Sequence, residues 1–387
     1  MSITGNRQFA TLPTTVFTVM SALAVEHDAI NLGQGFPDTD GPADIKAAAA
    51  RALIDGPNQY PPMRGLASLR QAVADHDRRF HGLDIDPERG VLVTSGATEA
   101  LTAAILALVN PGDEVIVFEP VYDSYLPIIR AAGAVPRVLR LAPPAWRLPE
   151  AALRAACSDK TRLIIVNSPH NPCGTLLGDD ELDLLTELAC RHDIPVLCDE
   201  VYEHLVFDGA RHVPLMTRPG MAARCLRVGS AGKTFSLTGW KVGYLSGAPA
   251  LIDLVAKVHQ FLTFTTPPAL QAGVAYGLAL PDDYFTTLAA DMQARRDRLA
   301  RGLAGLGFEV LPSAGSYFLT CGYGRFADCD DTEFALRLVR EARVATIPLS
   351  AFYDQPVTQR LIRFCFCKQE AVLDAAVERL RRYLTRG

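Results

Sequence analysis

The chain has 387 residues, 49% of them hydrophobic, and a formal net charge of −5 at pH 7. That length allows two domains with a sizeable buried core. The mildly acidic balance without basic clusters excludes a nucleic-acid surface, and nine cysteines with no C-x-x-C exclude a zinc knuckle or a redox pair. No apolar run reaches the length of a membrane span and the N-terminus lacks the basic-then-apolar build of a signal peptide, so a cytoplasmic protein without membrane contact is expected.

The first forty residues are irregular, with Asn31 to Asp38 rich in glycine and proline, and are expected to cross to the C-terminal part of the chain. From about residue 90 to about residue 250, apolar runs alternate with helical patterns. Strands are predicted at Val91 to Thr94, Glu114 to Phe118, Leu163 to Asn167, Pro195 to Cys198, Cys225 to Val228 and Val242 to Leu245, with helices at Thr98 to Val109 and Asp179 to His192. Continuous apolar strands alternating with amphipathic helices predict an α/β fold whose mostly parallel sheet is covered on both faces. Ligands bind such sheets at the strand carboxyl ends. Further on, Met292 to Leu306 reads as a charged amphipathic helix, and strands at Ser316 to Thr320 and Leu361 to Cys367 alternate with helices in an α+β manner. The expected division is a large domain over 40–285 and a small one built from 1–39 and 286–387. Cys365 and Cys367, two apart in an apolar strand, are expected on one face.

Lys233 lies in G-S-A-G-K-T-F-S-L-T-G-W-K (Gly229 to Lys241), and Asp199 and Tyr202 precede it in V-L-C-D-E-V-Y. A lysine amine forms a Schiff base with a carbonyl, an aspartate keeps a ring nitrogen protonated, and a tyrosine donates to a phenolate oxygen. Those are the groups that pyridoxal phosphate needs from a protein. The same letters suggest an ATPase phosphate loop, but G-x-x-x-x-G-K-[ST] requires a glycine where this chain has Arg227, and the acidic strand precedes the lysine.

The neighbouring residues extend the pattern. Thr98 opens a helix after S-G-A, so free amides there form an anion site worth about 0.3–1 kcal/mol per charge contact; taken alone, Thr98 reads as a helix cap. Ser230 and Lys241 flank Lys233 at spacings that let a loop bring a hydroxyl and an ammonium to one phosphate. Asp199 follows the apolar I-P-V-L-C, where a carboxylate either gains a cationic partner, such as a pyridinium nitrogen, or takes up a proton; a structural acid capping a turn is the plainer alternative. Val201 shares its face by strand period and could pack one side of a flat ring. Tyr122, in E-P-V-Y-D-S-Y, could stack on the other side or belong to the core. Asn171, in N-S-P-H-N-P-C-G, is fixed by Pro169 and Pro172 in a rigid loop, and with Tyr202 it can hold a phenolate oxygen ionised. Arg363 interrupts L-I-R-F-C-F-C and needs a carboxylate, either an internal acid or an amino acid's α-carboxylate gripped in two parallel bonds. Gly35, in G-Q-G-F-P-D, lets backbone approach the same carboxylate.

With these residues in place, the chain resembles the fold-type I pyridoxal-phosphate aminotransferases of classes I and II over nearly its whole length. Eight motifs occur in family order: I-N-L-G-Q-G-F-P-D, N-Q-Y-P-P, S-G-A-T-E-A-L, E-P-V-Y-D-S-Y, N-S-P-H-N-P-C-G, D-E-V-Y-E-H, S-A-G-K-T-F-S-L-T-G-W-K-V-G-Y and I-R-F-C-F. The resemblance implies a large, mostly parallel sheet domain of the seven-stranded type with a smaller α+β domain, pyridoxal 5'-phosphate as cofactor, and an amino acid and a 2-oxo acid as substrates. It implies that Lys233 carries the Schiff base and shuttles the substrate proton, that Asp199 pairs with the pyridine nitrogen, that Tyr202 and Asn171 bind the phenolate oxygen, and that Tyr122 stacks on the ring. Ala97, Thr98, Ser230 and Lys241 would hold the phosphate, joined by Tyr60 from the neighbouring subunit of a homodimer with shared active sites. Arg363, Asn171 and the backbone at Gly35 would fix the substrate carboxylate. Two positions depart from the family pattern. Lys241 stands where many relatives carry arginine, which gives a point charge instead of a fork, and Cys173 stands where threonine is common.

For the substrate side chain, F-L-T-F-T-T-P-P (Phe261 to Pro268) is expected to border the pocket and holds no cation of the kind that aspartate transaminases place there; Phe17, in T-T-V-F-T-V-M, is expected to be another wall. An uncharged aromatic pocket favours a thioether, leucyl or aromatic side chain. The likeness points to the methionine and kynurenine branch. The N-succinyl-diaminopimelate branch shares T-T-V-F, N-Q-Y-P-P and D-E-V-Y-E-H-L-V-F-D, and its anionic substrate would need Arg64 or Lys257 at the far end. A carbon–sulfur β-lyase would use the same Lys233 and Asp199. A catalytically retired regulator is disfavoured by the intact catalytic groups and by the short tail before Asn31. No metal site is expected.

Overall fold

The computed structural model of the chain describes residues 5–385. After a two-residue strand β1 (Ile30–Asn31), the chain lays down β2 (Val91–Thr94), β3 (Glu114–Glu119), β4 (Val135–Arg140), β5 (Thr161–Asn167), β6 (Val196–Asp199), β7 (Cys225–Ser230) and β8 (Gly243–Gly247). These seven form one sheet in the order β2-β8-β7-β6-β5-β3-β4. β8 runs antiparallel to both neighbours, and the remaining pairings are parallel. The large, mostly parallel α/β sheet expected from the alternation is therefore present.

Burial on both faces explains why these strands read as unbroken apolar runs. Leu92, Val117, Ile165, Leu197 and Val228 meet the helices Ala97–Leu108 and Pro249–Leu262 in one core. The alternate residues Val93, Ile116, Ile164, Val196 and Cys225 meet the helices Ala67–His81 and Asp179–His192 in a second core. β4 was not predicted. It is the sheet edge, its residues are partly exposed, and Pro136 breaks its hydrophobic pattern, as edge strands tolerate.

The C-terminal part adds β9 (Glu309–Val310), β10 (Phe318–Gly322), β11 (Val344–Ala345), β12 (Ile347–Pro348) and β13 (Leu361–Cys365). An antiparallel sheet runs β12-β13-β10-β9, while β1 pairs in parallel with β11 through Ile30 and Val344. The helices Asp282–Leu306 and Glu370–Leu384 contribute Leu299, Leu303, Leu373 and Leu380 to the core beneath β10 and β13. The first of these helices begins ten residues earlier than the predicted Met292. Its opening turns, D-D-Y-F-T-T, are polar and aromatic, so the charged periodicity that announces the helix starts later. β10 starts two residues later than predicted, and β13 ends at Cys365. Cys365 and Cys367 do lie side by side, with sulfurs 3.1 Å apart. Among the described residues, no helix is long and apolar enough to cross a membrane.

Candidate active site

The carboxyl ends of β5, β6 and β7 and the turn after β2 open onto one cavity of about 440 Å³, within the range of small-molecule sites. Asp199 ends β6, and Ser230 ends β7 and caps the short helix Ala231–Thr234 that carries Lys233. Ala97 and Thr98 open the helix after Gly96, whose φ of 81° turns the chain from strand into helix. Lys241 reaches the same turn, its Nζ 3.3 Å from where a Gly96 side chain would start. β8 supports this corner closely: a Cβ at Gly243 would lie 2.7 Å from the Ala97 nitrogen, so only glycine lets the strand lie against the helix start. Helix-start amides, a hydroxyl and an ammonium thus converge on one corner, an arrangement suited to phosphate.

Asp199 is buried at the cavity floor. Burial raises its carboxyl from 3.8 to about 6, opposed by the Tyr125 hydroxyl, which donates to Oδ2 at 2.5 Å. Among the described residues it has no ion-pair partner, so a ring N–H⁺ fits a carboxylate left in need of one. Asn167 steadies the same floor, with Nδ2 donating to the Asp199 carbonyl at 2.9 Å and Oδ1 accepting from the Asn171 backbone at 2.7 Å. Tyr122, Val201 and Tyr202 also line the cavity. Val201 arrives by another route than the predicted one: β6 stops at Asp199, and a turn, not strand alternation, presents it.

Lys233 lies between these groups and the small sheet. Burial lowers its pKa from 10.5, its Nζ donates to the Gly35 carbonyl at 2.8 Å, and the Tyr317 hydroxyl holds its backbone carbonyl at 2.7 Å. Gly35 must be glycine here, since a Cβ would come within 2.5 Å of the Phe318 ring.

Arg363, in the middle of β13, is 1% exposed. One Nη donates to Asn171 Oδ1 at 2.8 Å, the other to the Gly33 carbonyl at 2.6 Å, and Nε has no partner among the described residues. The rings of Phe318, Phe352 and Phe17 surround the guanidinium at 3.9, 4.9 and 5.3 Å. Burial lowers its pKa to about 10. Among the described residues Arg363 forms no ion pair, so the internal-acid alternative is not realised.

Of the predicted site residues, only Tyr60 does not line this cavity. It is 82% exposed, its ring edge-on to Phe264 at 5.4 Å. The expectation that Phe261 to Pro268 borders the pocket fails within this chain. The helix Pro249–Leu262 ends inside the stretch, leaving Phe261 on the outer surface and Phe264 against Tyr60. Tyr125 and Asn167 were missed, although both lie inside motifs already singled out. Tyr125 stands three residues after Tyr122, close to one helical turn.

Residues 27–380 match the family described as Aminotransferase class I and II. The chain is 46% identical to a probable N-succinyldiaminopimelate aminotransferase of Mycobacterium tuberculosis over 98% of both chains. It is 43% identical to the methionine aminotransferase of Escherichia coli over 96% of both. A solved structure of the Mycobacterium tuberculosis N-succinyldiaminopimelate aminotransferase superposes with a TM-score of 0.96, covering 98% of this chain and 100% of that one. An Escherichia coli protein with a methionine aminotransferase function superposes with a TM-score of 0.95 at 42% identity, with the same coverage.

Proposed function

Given that the chain belongs to the class I and II aminotransferase family and is a pyridoxal-phosphate-dependent aminotransferase acting on amino and 2-oxo acids, we propose that its donor is an L-amino acid with an uncharged, methionine-like or aromatic side chain. The observation that carries the reading is the charge inventory of the cavity. Among the described residues, its cations are Lys233, Lys241 and Arg363, and each has a task on the cofactor or the α-carboxylate, which leaves none from this chain for an acidic side chain.

Pyridoxal 5'-phosphate, when bound, supplies an aldehyde for an amine and a ring that takes up the electron pair left at Cα. Arg363 offers two N–H groups to the substrate carboxylate, oriented by Asn171 and Gly33. Lys233, its ammonium form disfavoured by burial, would serve as the base that takes and holds the Cα proton. Burial makes the Asp199 carboxylate costly, so a cation against it is favoured, and that pairing would keep the ring nitrogen protonated. Tyr202 and Asn171 bind the phenolate oxygen, Tyr122 stacks on the ring, and Ala97, Thr98, Ser230 and Lys241 hold the phosphate. Phe17 forms a wall of the side-chain pocket.

A second reading, transfer from N-succinyl-diaminopimelate, is favoured by the 46% likeness. Against it, Arg64 is already engaged by Asp253 and by the Arg89 carbonyl, and Lys257 is exposed outside the cavity of its own chain. Turnover with 2-oxoglutarate separates the two: a preference for methionine over N-succinyl-diaminopimelate supports our reading, and the reverse preference overturns it. Pyruvate release from a cysteine conjugate without any oxo acid would instead mark a β-lyase.

The proposal includes a cytoplasmic homodimer in which Tyr60 reaches the partner's phosphate corner. The exposed Tyr60, packed edge-on against Phe264, supports it. Sedimentation as a monomer at micromolar concentration would remove the shared site. It also includes a division into 40–285 and 1–39 plus 286–387, which the two separate sheets and the β1–β11 pairing support.

A further inference from the structure

Behind Asp199 and Tyr202, on the opposite face of the sheet, lies a buried ionic cluster that the chemistry above does not use. Arg227, in the middle of β7, points away from the cavity and is 4% exposed. Its Nε donates to Glu200 Oε2 at 2.6 Å, one Nη to Glu203 Oε2 at 2.8 Å, and the other Nη to Asp77 on the helix Ala67–His81. His81 Nε2 lies 2.7 Å from Glu203, and His212 Nε2 3.0 Å from Glu200. Burial pushes the Glu203 carboxyl up, but the His81 bond and the Arg227 charge more than offset it and hold it well below the usual carboxylate range. The adjacent His76 and His204 nitrogens are 2.7 Å apart. That is a hydrogen-bond distance, shorter than the roughly 3.3 Å that separates two ligands on one tetrahedral metal ion with 2.0–2.1 Å bonds.

The sequence D-E-V-Y-E interleaves the two sets of residues. Asp199 and Tyr202 face the cavity, while Glu200 and Glu203 face Arg227. Asp199 closes β6, and the residues after it form a tight turn, closed by the Glu203 N–H on the Glu200 carbonyl at 2.9 Å, with Glu200 tied to β7 through Val228 at 3.1 Å. A turn this short has few internal bonds to fix its pitch. A planar guanidinium gripping both glutamates fixes it from behind, as an ammonium with no fork cannot.

We propose that Arg227 is a positioning residue: by clamping Glu200 and Glu203 it sets the pitch of the 199–203 turn, and with it the aim of Asp199 and Tyr202 at the cofactor ring. This deepens the proposed function and rests on its assignment of Asp199 and Tyr202. Arg363 stands on the other sheet and shares none of these contacts, so the substrate carboxylate site is independent of the clamp.

The test is Arg227→Lys, which keeps the charge and loses the fork, studied as cofactor-loaded protein. We expect a folded enzyme whose kcat falls on the order of tenfold, the scale of a small misalignment at the reacting centre, with the amino-acid KM nearly unchanged. The pH midpoint of the bound cofactor's visible absorbance should shift as well. A folded variant with wild-type kcat and wild-type midpoint overturns the proposal, as does a loss confined to KM. Should the lysine variant fail to fold, Glu203→Gln, nearly the same shape without the charge, is judged by the same two readouts. Asp199→Asn serves as the control: if it leaves the visible spectrum unchanged, the failure lies in the functional reading of the site and not in the clamp.

Discussion

Two arginines are buried in the middle of strands, and their surroundings are opposite. Arg227 on the large sheet meets three carboxylates. Arg363 on the small sheet meets an amide, a carbonyl and three aromatic faces, and keeps one N–H without a partner among the described residues. Taking a guanidinium out of water is costly in both places. For Arg227 the chain itself supplies the compensation, so the residue serves the fold. For Arg363 the compensation is incomplete, so the residue is poised for a ligand that brings a carboxylate. Asp199 belongs with Arg363 in this division, because its raised pKa marks a charge that the protein leaves unmatched.

The division separates residues whose removal should unfold the protein from residues whose removal should spare the fold. The largest effect should come from Lys233→Ala, which is expected to lower transamination on the order of 10⁴-fold and to abolish the visible absorbance of bound cofactor while leaving the melting curve close to wild type. Turnover at the wild-type rate would remove Lys233 from its role. Next, Arg227→Met should destabilise the protein by about 3–5 kcal/mol, since it strands three buried carboxylates. Urea unfolding measures this, and an unchanged midpoint would mean the cluster is not a structural tie.

Arg363→Met should do the reverse. The amino-acid KM should rise on the order of 100-fold, while stability stays level or improves, because an incompletely compensated charge is replaced by an apolar chain of similar length. An unchanged KM would make the strand arginine structural after all.

Asp199 gives a pH signature. Burial lifts its carboxyl from 3.8 to about 6, so the folded state keeps this proton to a higher pH than the unfolded chain does. In cofactor-free protein, this group has no effect on stability below pH about 3.8. Stability then declines as pH rises toward 6 and stays lower by on the order of 3 kcal/mol above it. The stability difference between Asp199→Asn and wild type should therefore grow across that window, and a flat difference would contradict the raised pKa. The smallest effect is expected from Tyr125→Phe, which removes one hydrogen bond from Asp199 and should cost about 1 kcal/mol, roughly fivefold in kcat.

Much of this was legible in the chain itself. Lys233, Asp199, Asn171 and Arg363 stood out because each is a polar group that ends, follows or interrupts a strongly apolar strand, and the structure places all four on one cavity. Arg227 has the same signature in C-L-R-V-G-S, but its role is not legible there. Its three partners lie 24 to 150 positions away and have no local signal. β4 was hidden by its proline and partial exposure. The first turns of the helix beginning at Asp282 were hidden by their polar composition. The outward placement of Phe261 depends on where its helix stops, and terminal residues are what periodicity fixes least well.

The most direct test of the central claim is borohydride reduction of the purified, cofactor-supplied enzyme followed by peptide mapping. Stoichiometric reductive attachment of the pyridoxal group is expected at Lys233, with that label lost in Lys233→Ala. Attachment at another lysine, or a protein that stays colourless and unlabelled, would contradict it.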